Sequence, residues 1–156
     1  MPPRTQAPDL VDGLFQLSFL LHNMLARVAA EHDLSVIQVR LLRVLCDREP
    51  GMFELAQHLE LKKSTLTGCA NRTESRGLVV RTASPDDGRA SNIHATAEGR
   101  RLAHAIDEAL NAEIEKLVAV LSPSDRDRLA SVVSQVVAAA DREPALKNGA
   151  DSARSC

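Results

Sequence analysis

The stretch LKKSTLTGCANRTESRGLVVRTASPDDGRASNIHATAEG, Leu61 to Gly99, decides how this chain is read. From Lys63 to Arg76 it holds no proline and one glycine, Gly68, before Gly77 supplies the residue type that ends helices in a left-handed conformation. That predicts a short helix over 63–76. LVVRT at 78–82 is rich in β-branched residues, SPDDG at 84–88 has turn chemistry, and SNIHA at 91–95 alternates polar and apolar positions. These three pieces predict a two-stranded hairpin, so the stretch is a helix with a wing. Thr96 then stands as an N-cap before a long helical pattern.

Charge separates this window from the rest of the chain. Between 62 and 101 there are eight basic residues (Lys62, Lys63, Arg72, Arg76, Arg81, Arg89, Arg100, Arg101) and four acidic ones (Glu74, Asp86, Asp87, Glu98), a balance of +4. The whole chain is at −2, so the remainder carries −6. A basic element in an otherwise acidic protein is the footprint of something that approaches a polyanion.

Upstream, Leu10, Leu14, Leu17, Leu21, Leu25 and Val28 recur at helical steps, with Phe15, Phe19, His22 and Ala26 in a second row beside them. The first helix is therefore apolar over more than one side, which suits either a further contact with a partner subunit or a central helix in a single core. Ser35 with Gln38 makes a capping box for a second helix carrying Val39, Leu41, Leu42, Val44 and Leu45 to the stop at 48–51. A third, short helix covers about Phe53 to Leu59, and the very short turn before Lys63 makes the pair a helix-turn-helix. Downstream, Leu102, Ile106, Leu110, Ile114, Leu117 and Leu121 give a long helix with a narrow apolar seam. Ser122, Pro123 and Asp125 restart the chain into a last helix with Leu129, Val132, Val133, Val136 and Val137 on one side up to Ala140.

The fold class that follows is mainly α with a small β-hairpin wing: a winged helix-turn-helix, dimeric through its N- and C-terminal helices. Residues 1–8 and 142–156 read as disordered, 9–141 as one domain. Within it the winged helix-turn-helix occupies about 35–96 and the dimerisation helices about 9–32 and 97–141. Pairing across a two-fold axis would bury the surplus apolar surface and put two basic units on one side.

Composition removes several function classes. No apolar run reaches the roughly 18 residues of a membrane span and the N-terminus lacks a signal-peptide pattern, so a cytoplasmic protein without a membrane partner is expected. Cys46, Cys69 and Cys156 are too widely spaced for a disulfide framework or a metal motif, and the five histidines show no ligand spacing. No nucleophile elbow, phosphate loop or dinucleotide fingerprint is present, so neither a catalytic role nor a cofactor is expected. With three Phe and no Trp or Tyr, the chain lacks the usual stacking platforms for single strands, which favours duplex DNA as the polyanion.

The order and spacing of ELAQHL (54–59), LKKSTLT (61–67), RGLVVR (76–81), the Asp87-Gly88-Arg89 triplet and Thr96-x-x-Gly99 resemble the MarR family of bacterial transcription regulators over about Leu10 to Ala140. The resemblance implies a homodimeric repressor of double-stranded DNA that responds to a small-molecule effector. It also implies a helix in the major groove contacting DNA through Lys63, Ser64, Thr65, Thr67, Gly68, Asn71 and Arg72, with Arg89 of the wing at the adjacent minor groove or its phosphates. A helix N-terminus suits phosphate, and Asn71 or Arg72 suits adenine or guanine edges. Lys62 and Arg76 are added as phosphate neighbours, against the plainer reading that they are solvated charges; Thr67 has a similar alternative as a helix-surface hydroxyl. A ligand cleft is expected where the first, second and fifth helices meet, with Phe19, His22, Arg40 and His104 as lining.

The sequence departs from the family pattern at four places. Lys62 stands where a Ser or Asp cap is usual, so the helix is expected to begin at Ser64 or to take its cap from DNA phosphate. Thr73 replaces a buried leucine, the wing tip carries one arginine, and Ala95 replaces a larger apolar residue. Weaker or narrower DNA binding is the expectation. Two rivals remain in view: a winged helix used for protein contacts, against which the +4 window speaks, and a thiol-based redox sensor. Cys46 reads as a small core residue and Cys69 as packing under the reading helix rather than as a sensing thiol.

Overall fold

The structure, a computed structural model, describes residues 9–48, 50–83 and 91–142. In chain order the elements are α1 (Leu10–Glu31), α2 (Val36–Asp47), α3 (Met52–His58), α4 (Lys63–Ser75), β1 (Val79–Ala83), β2 (Ser91–Ala95), α5 (Ala97–Val118) and α6 (Pro123–Arg142). This is the mainly helical winged helix-turn-helix that the sequence predicts. The stretches read as disordered at 1–8 and beyond 142, the turn at 84–88 and Arg89 lie outside the described residues.

Local chemistry explains most boundaries. The Asp9 carboxylate accepts the Asp12 N–H at 2.9 Å and opens α1. In α2 both halves of the capping box form: Ser35 Oγ accepts from the Gln38 N–H at 3.3 Å, and Gln38 Oε1 accepts from the Ser35 N–H at 3.0 Å. The turn from α3 to α4 is closed by Glu60 in the left-handed region (φ 54°), with the Leu61 N–H on the Ala56 carbonyl at 2.9 Å. Gly77 (φ 71°) ends α4 as its residue type predicts. α5 stops at Val118, short of the predicted Leu121, where the Leu121 N–H reaches back three residues to the Val118 carbonyl at 3.0 Å. Ser122 caps α6 by accepting the Asp125 N–H at 3.2 Å.

β1 and β2 run antiparallel, pairing Val79 with Ala95 and Ala83 with Ser91. An isolated bridge joins Gly51 to Asn92, so β2 has a backbone partner on its other edge as well. Leu41, Leu42, Leu45, Leu55, Leu66, Ile93 and Ile106 form the centre of the core, closed by Val28, Val39, Leu59 and Leu78. The spacing of these residues predicts helical stripes, and burial follows them.

The tightest approach is at Gly99, in the first turn of α5. A Cβ there would lie 2.0 Å from the Leu78 carbonyl oxygen and 3.3 Å from Leu42 Cδ2. Thr96 locks the same corner: its hydroxyl donates to the Gly77 carbonyl at 2.8 Å and accepts the Gly99 N–H at 3.0 Å, while its own N–H reaches the Leu78 carbonyl at 3.0 Å. The Thr96-x-x-Gly99 pattern thus fastens the exit of the wing to the exit of α4.

The chain divides into two compact units, one through Glu113 and one from Ile114. Among the described residues, every buried apolar one falls in the first. In the second, no α6 side chain from 123 to 140 is buried, and Leu129, Val132, Val133, Val136 and Val137 are exposed. α1 buries only Met24, Val28 and Ala29 near its end; Leu10, Val11, Leu14, Phe15, Phe19 and Leu20 stay exposed.

Candidate nucleic-acid interface

α4 divides cleanly into two sides. Leu66, Cys69, Ala70 and Thr73 recur at steps of three and four and are buried, anchoring the helix on the core. At 100° per residue the opposite side presents Ser64, Gly68, Asn71 and Arg72. Ser64, Thr65, Asn71 and Arg72 are exposed, and Thr67 and Gly68 are half-buried. A Cβ on Gly68 would lie 3.6 Å from Arg72 Nη1, so the guanidinium lies over the glycine and the helix backbone is open there.

The start of α4 decides between the two expectations for it. The helix begins at Lys63, as the 63–76 reading has it, with Lys62 in extended geometry at the N-cap and no side-chain cap hydrogen bond. The first helical bond is the Leu66 N–H to the Lys62 carbonyl at 3.0 Å, which leaves the N–H groups of the first turn pointing outward as a ready anion site. Burial of Leu66 and Cys69 forms this turn without a capping side chain. Lys62 and Lys63, both exposed, flank it.

Two of the predicted contacts are engaged within the protein. Thr67 Oγ1 donates to the Lys63 carbonyl at 2.8 Å, the helix-surface alternative noted for it. Arg76 is held more firmly: its guanidinium donates to the backbone carbonyls of Asp33 and His32, the latter at 3.1 Å, a hold on the α1–α2 junction. Sequence reasoning missed this because the partners lie more than 40 positions away and are backbone atoms.

On the wing, Thr82 Oγ1 and His94 Nε2 are 3.0 Å apart across the strands. Arg81 is drawn back to Glu74 of α4, with its N–H on Glu74 Oε1 at 3.3 Å and Nη1 at 3.6 Å from Oε2. Thr73, flagged as a departure, is fully buried and hydrogen-bonded rather than a gap in the packing.

The expected ligand residues lie at the surface. Phe19, His22, Arg40 and His104 are all exposed; a shallow depression among the described residues takes in Arg40, together with Arg43, Val44, His58 and Leu59. Arg43 Nε sits 3.0 Å from Asp107 of α5. Among the described residues no cluster of His, Cys, Asp and Glu could hold a metal, and no helix is long and apolar enough to cross a membrane.

The thiols fit packing. Cys69 is fully buried; burial raises its pKa, against the opposing influence of the Thr73 hydroxyl and the Arg72 charge. Burial likewise raises the Cys46 thiol. Both are protonated at neutral pH and poor nucleophiles.

A helix-turn-helix whose second helix turns a polar, cationic side outward beside a two-stranded wing defines the winged-helix class of nucleic-acid-binding folds. Residues 32–90 match the family model described as MarR family. It is 27% identical over 122 residues to the HTH-type transcriptional regulator FarR of Neisseria gonorrhoeae, covering 78% of this chain and 84% of that one. A crystal structure of a mutant MarR from E. coli superposes with a TM-score of 0.75 at 19% identity, covering 85% of this chain and 98% of that one. CouR of Rhodococcus jostii, bound to a 23-mer DNA duplex, gives a TM-score of 0.71 at 23% identity over 82% of this chain and 92% of its own. CouR is also solved with p-coumaroyl-CoA.

Proposed function

We propose that this protein is a sequence-specific, double-stranded-DNA-binding transcription regulator, a homodimeric repressor that a small-molecule effector releases from a pseudo-palindromic operator. The observation that carries the reading is the outward side of α4, where Ser64, Gly68, Asn71 and Arg72 stand opposite the buried Leu66, Cys69, Ala70 and Thr73. Lys62, Lys63, Ser64 and Thr65 hold phosphate at the uncapped helix start; Asn71 and Arg72 read base edges. Arg89, on the wing, takes the adjacent minor groove. The effector cleft is assigned to Phe19, His22, Arg40 and His104. The protein acts in the cytoplasm, needs no cofactor and has no catalytic role.

Enrichment of random-sequence duplexes on the purified protein tests this directly. A pseudo-palindrome with half-site centres about 10 bp apart should emerge. Affinity for it should fall by about 0.9 log units per log unit of salt for each phosphate contact, so Lys62 and Lys63 in two subunits give a slope near −4 or steeper. A flat salt dependence would contradict the electrostatic reading. Arg89→Ala should weaken binding by about 1–3 kcal/mol per contact without lowering the melting temperature.

Gly68→Ala separates folding from binding by sign. Glycine within a helix costs about 0.5–1 kcal/mol relative to alanine, and a Cβ here meets only Arg72 Nη1, at ordinary contact distance, so thermal stability should rise by that amount. Binding to the enriched duplex should fall, because the added methyl stands where the helix backbone meets the groove.

A further inference from the structure

The second half of α4 is held at two points, and both holds grip the same short segment. Thr73 Oγ1 donates to the Cys69 carbonyl at 2.8 Å and accepts from Gln38 Nε2 at 3.3 Å, entirely within the core. Gln38 is itself fixed, since its Oε1 is committed to Ser35 in the capping box of α2. Three positions on, Arg76 at the C-cap of α4 donates to the carbonyls of His32 and Asp33. His32 closes α1 and Asp33 is left-handed (φ 53°), so these are carbonyls that the end of a helix leaves without a partner. Residues 73 and 76 therefore fasten α4 to residues 32–38, the junction of α1 and α2.

The chemistry of the holds matters. Apolar contacts at position 73 would resist separation but permit rotation, because dispersion has little direction; hydrogen bonds weaken steeply with angle and so resist rotation too. Asn71 and Arg72 ride on the other side of the same helix. With side-chain tips about 5–6 Å from the axis, a rotation of about 10° moves them by about 1 Å, enough to spoil a bidentate base contact.

We propose that Thr73 and Arg76 are positioning residues: through Gln38 and the carbonyls of His32 and Asp33 they set the angle at which α4 presents Asn71 and Arg72, so the α1–α2 junction governs base discrimination without touching DNA. This rests on the DNA-reading function proposed above. The test compares affinity for the enriched duplex with affinity for a scrambled duplex of equal composition, at fixed salt and well below each variant's melting temperature. Thr73→Val keeps shape and removes the hydroxyl; it should lower affinity for the enriched duplex about tenfold, the worth of one bidentate contact, and leave the scrambled duplex unchanged. Thr73→Ser should restore the ratio. Gln38→Met removes the same hydrogen bond from the other side and should repeat the loss, which keeps the test alive if Thr73→Val does not fold. Arg76→Ala should likewise lose affinity for the enriched duplex alone.

Variants that melt earlier yet keep the wild-type ratio would overturn the proposal, reducing both holds to fold stability. Equal loss on both duplexes with a shallower salt slope for Arg76→Ala would place that arginine on phosphate and overturn its positioning role. A wild-type protein that enriches no duplex overturns the DNA-reading function itself, and this proposal with it.

Discussion

Gly99→Ala is expected to cost about 3 kcal/mol or more, at or beyond the upper end of ordinary overpacking, and to lower the melting temperature by roughly 10 °C. A methyl at this position would stand 2.0 Å from the Leu78 carbonyl oxygen, and that atom belongs to the backbone rather than to a side chain that could swing aside. The same carbonyl accepts the Thr96 N–H, so moving it breaks the hydrogen bond that seats the start of α5. Relief by shifting α5 instead pulls Ala103 and Ile106 out of the core. Circular dichroism melts of the two proteins at equal concentration decide the matter; a variant within 1 °C of wild type would mean that the corner can open at negligible cost.

The second large effect concerns assembly. The mass by light scattering should be near 34 kDa, twice the 16.9 kDa chain, at micromolar concentration. The reason is the amount of apolar side chain that one chain leaves in water: Leu10, Val11, Leu14, Phe15, Phe19 and Leu20 on α1, and Val132, Val133, Val136 and Val137 on α6, each more than a third exposed. Patches of this kind on soluble proteins mark association surfaces. Because a two-fold interface uses each patch twice, Leu14→Glu together with Val133→Glu places four charges in it. Monomers or insoluble protein should result. Operator affinity should fall by about 10²–10⁴-fold, since the second half-site is then no longer bound at high effective concentration. A wild-type mass of about 17 kDa would end this account.

Much of the architecture was legible because it is written locally. Ser35 and Gln38 are three residues apart and their capping box forms; Gly77 supplies the positive φ that its type allows; Ser122 and Asp125 restart the chain. The two-sided character of α4 was equally readable, since its buried and exposed positions follow a single period. What escaped was set by atoms distant in sequence. Thr73 was visible as a misfit among apolar neighbours, but its partner Gln38 lies on another helix. Arg76 looked like one more cation near DNA because charge alone does not show that two carbonyls of a neighbouring helix end await it. The start of α4 at Lys63 was legible despite the missing cap, because burial of Leu66 holds the first turn.

The bridge between Gly51 and Asn92 bears on how the wing can move. A hairpin attached only through its own two ends is a flap with a free hinge. Here β2 is bonded to β1 along one edge and to the chain entering α3 along the other, so swinging the hairpin would require α3 to travel with it. The paired strands and the entry to α3 thus form one connected piece. Under the proposed DNA-reading function, an operator whose contacts do not match the spacing of α4 and the paired strands must itself bend to fit.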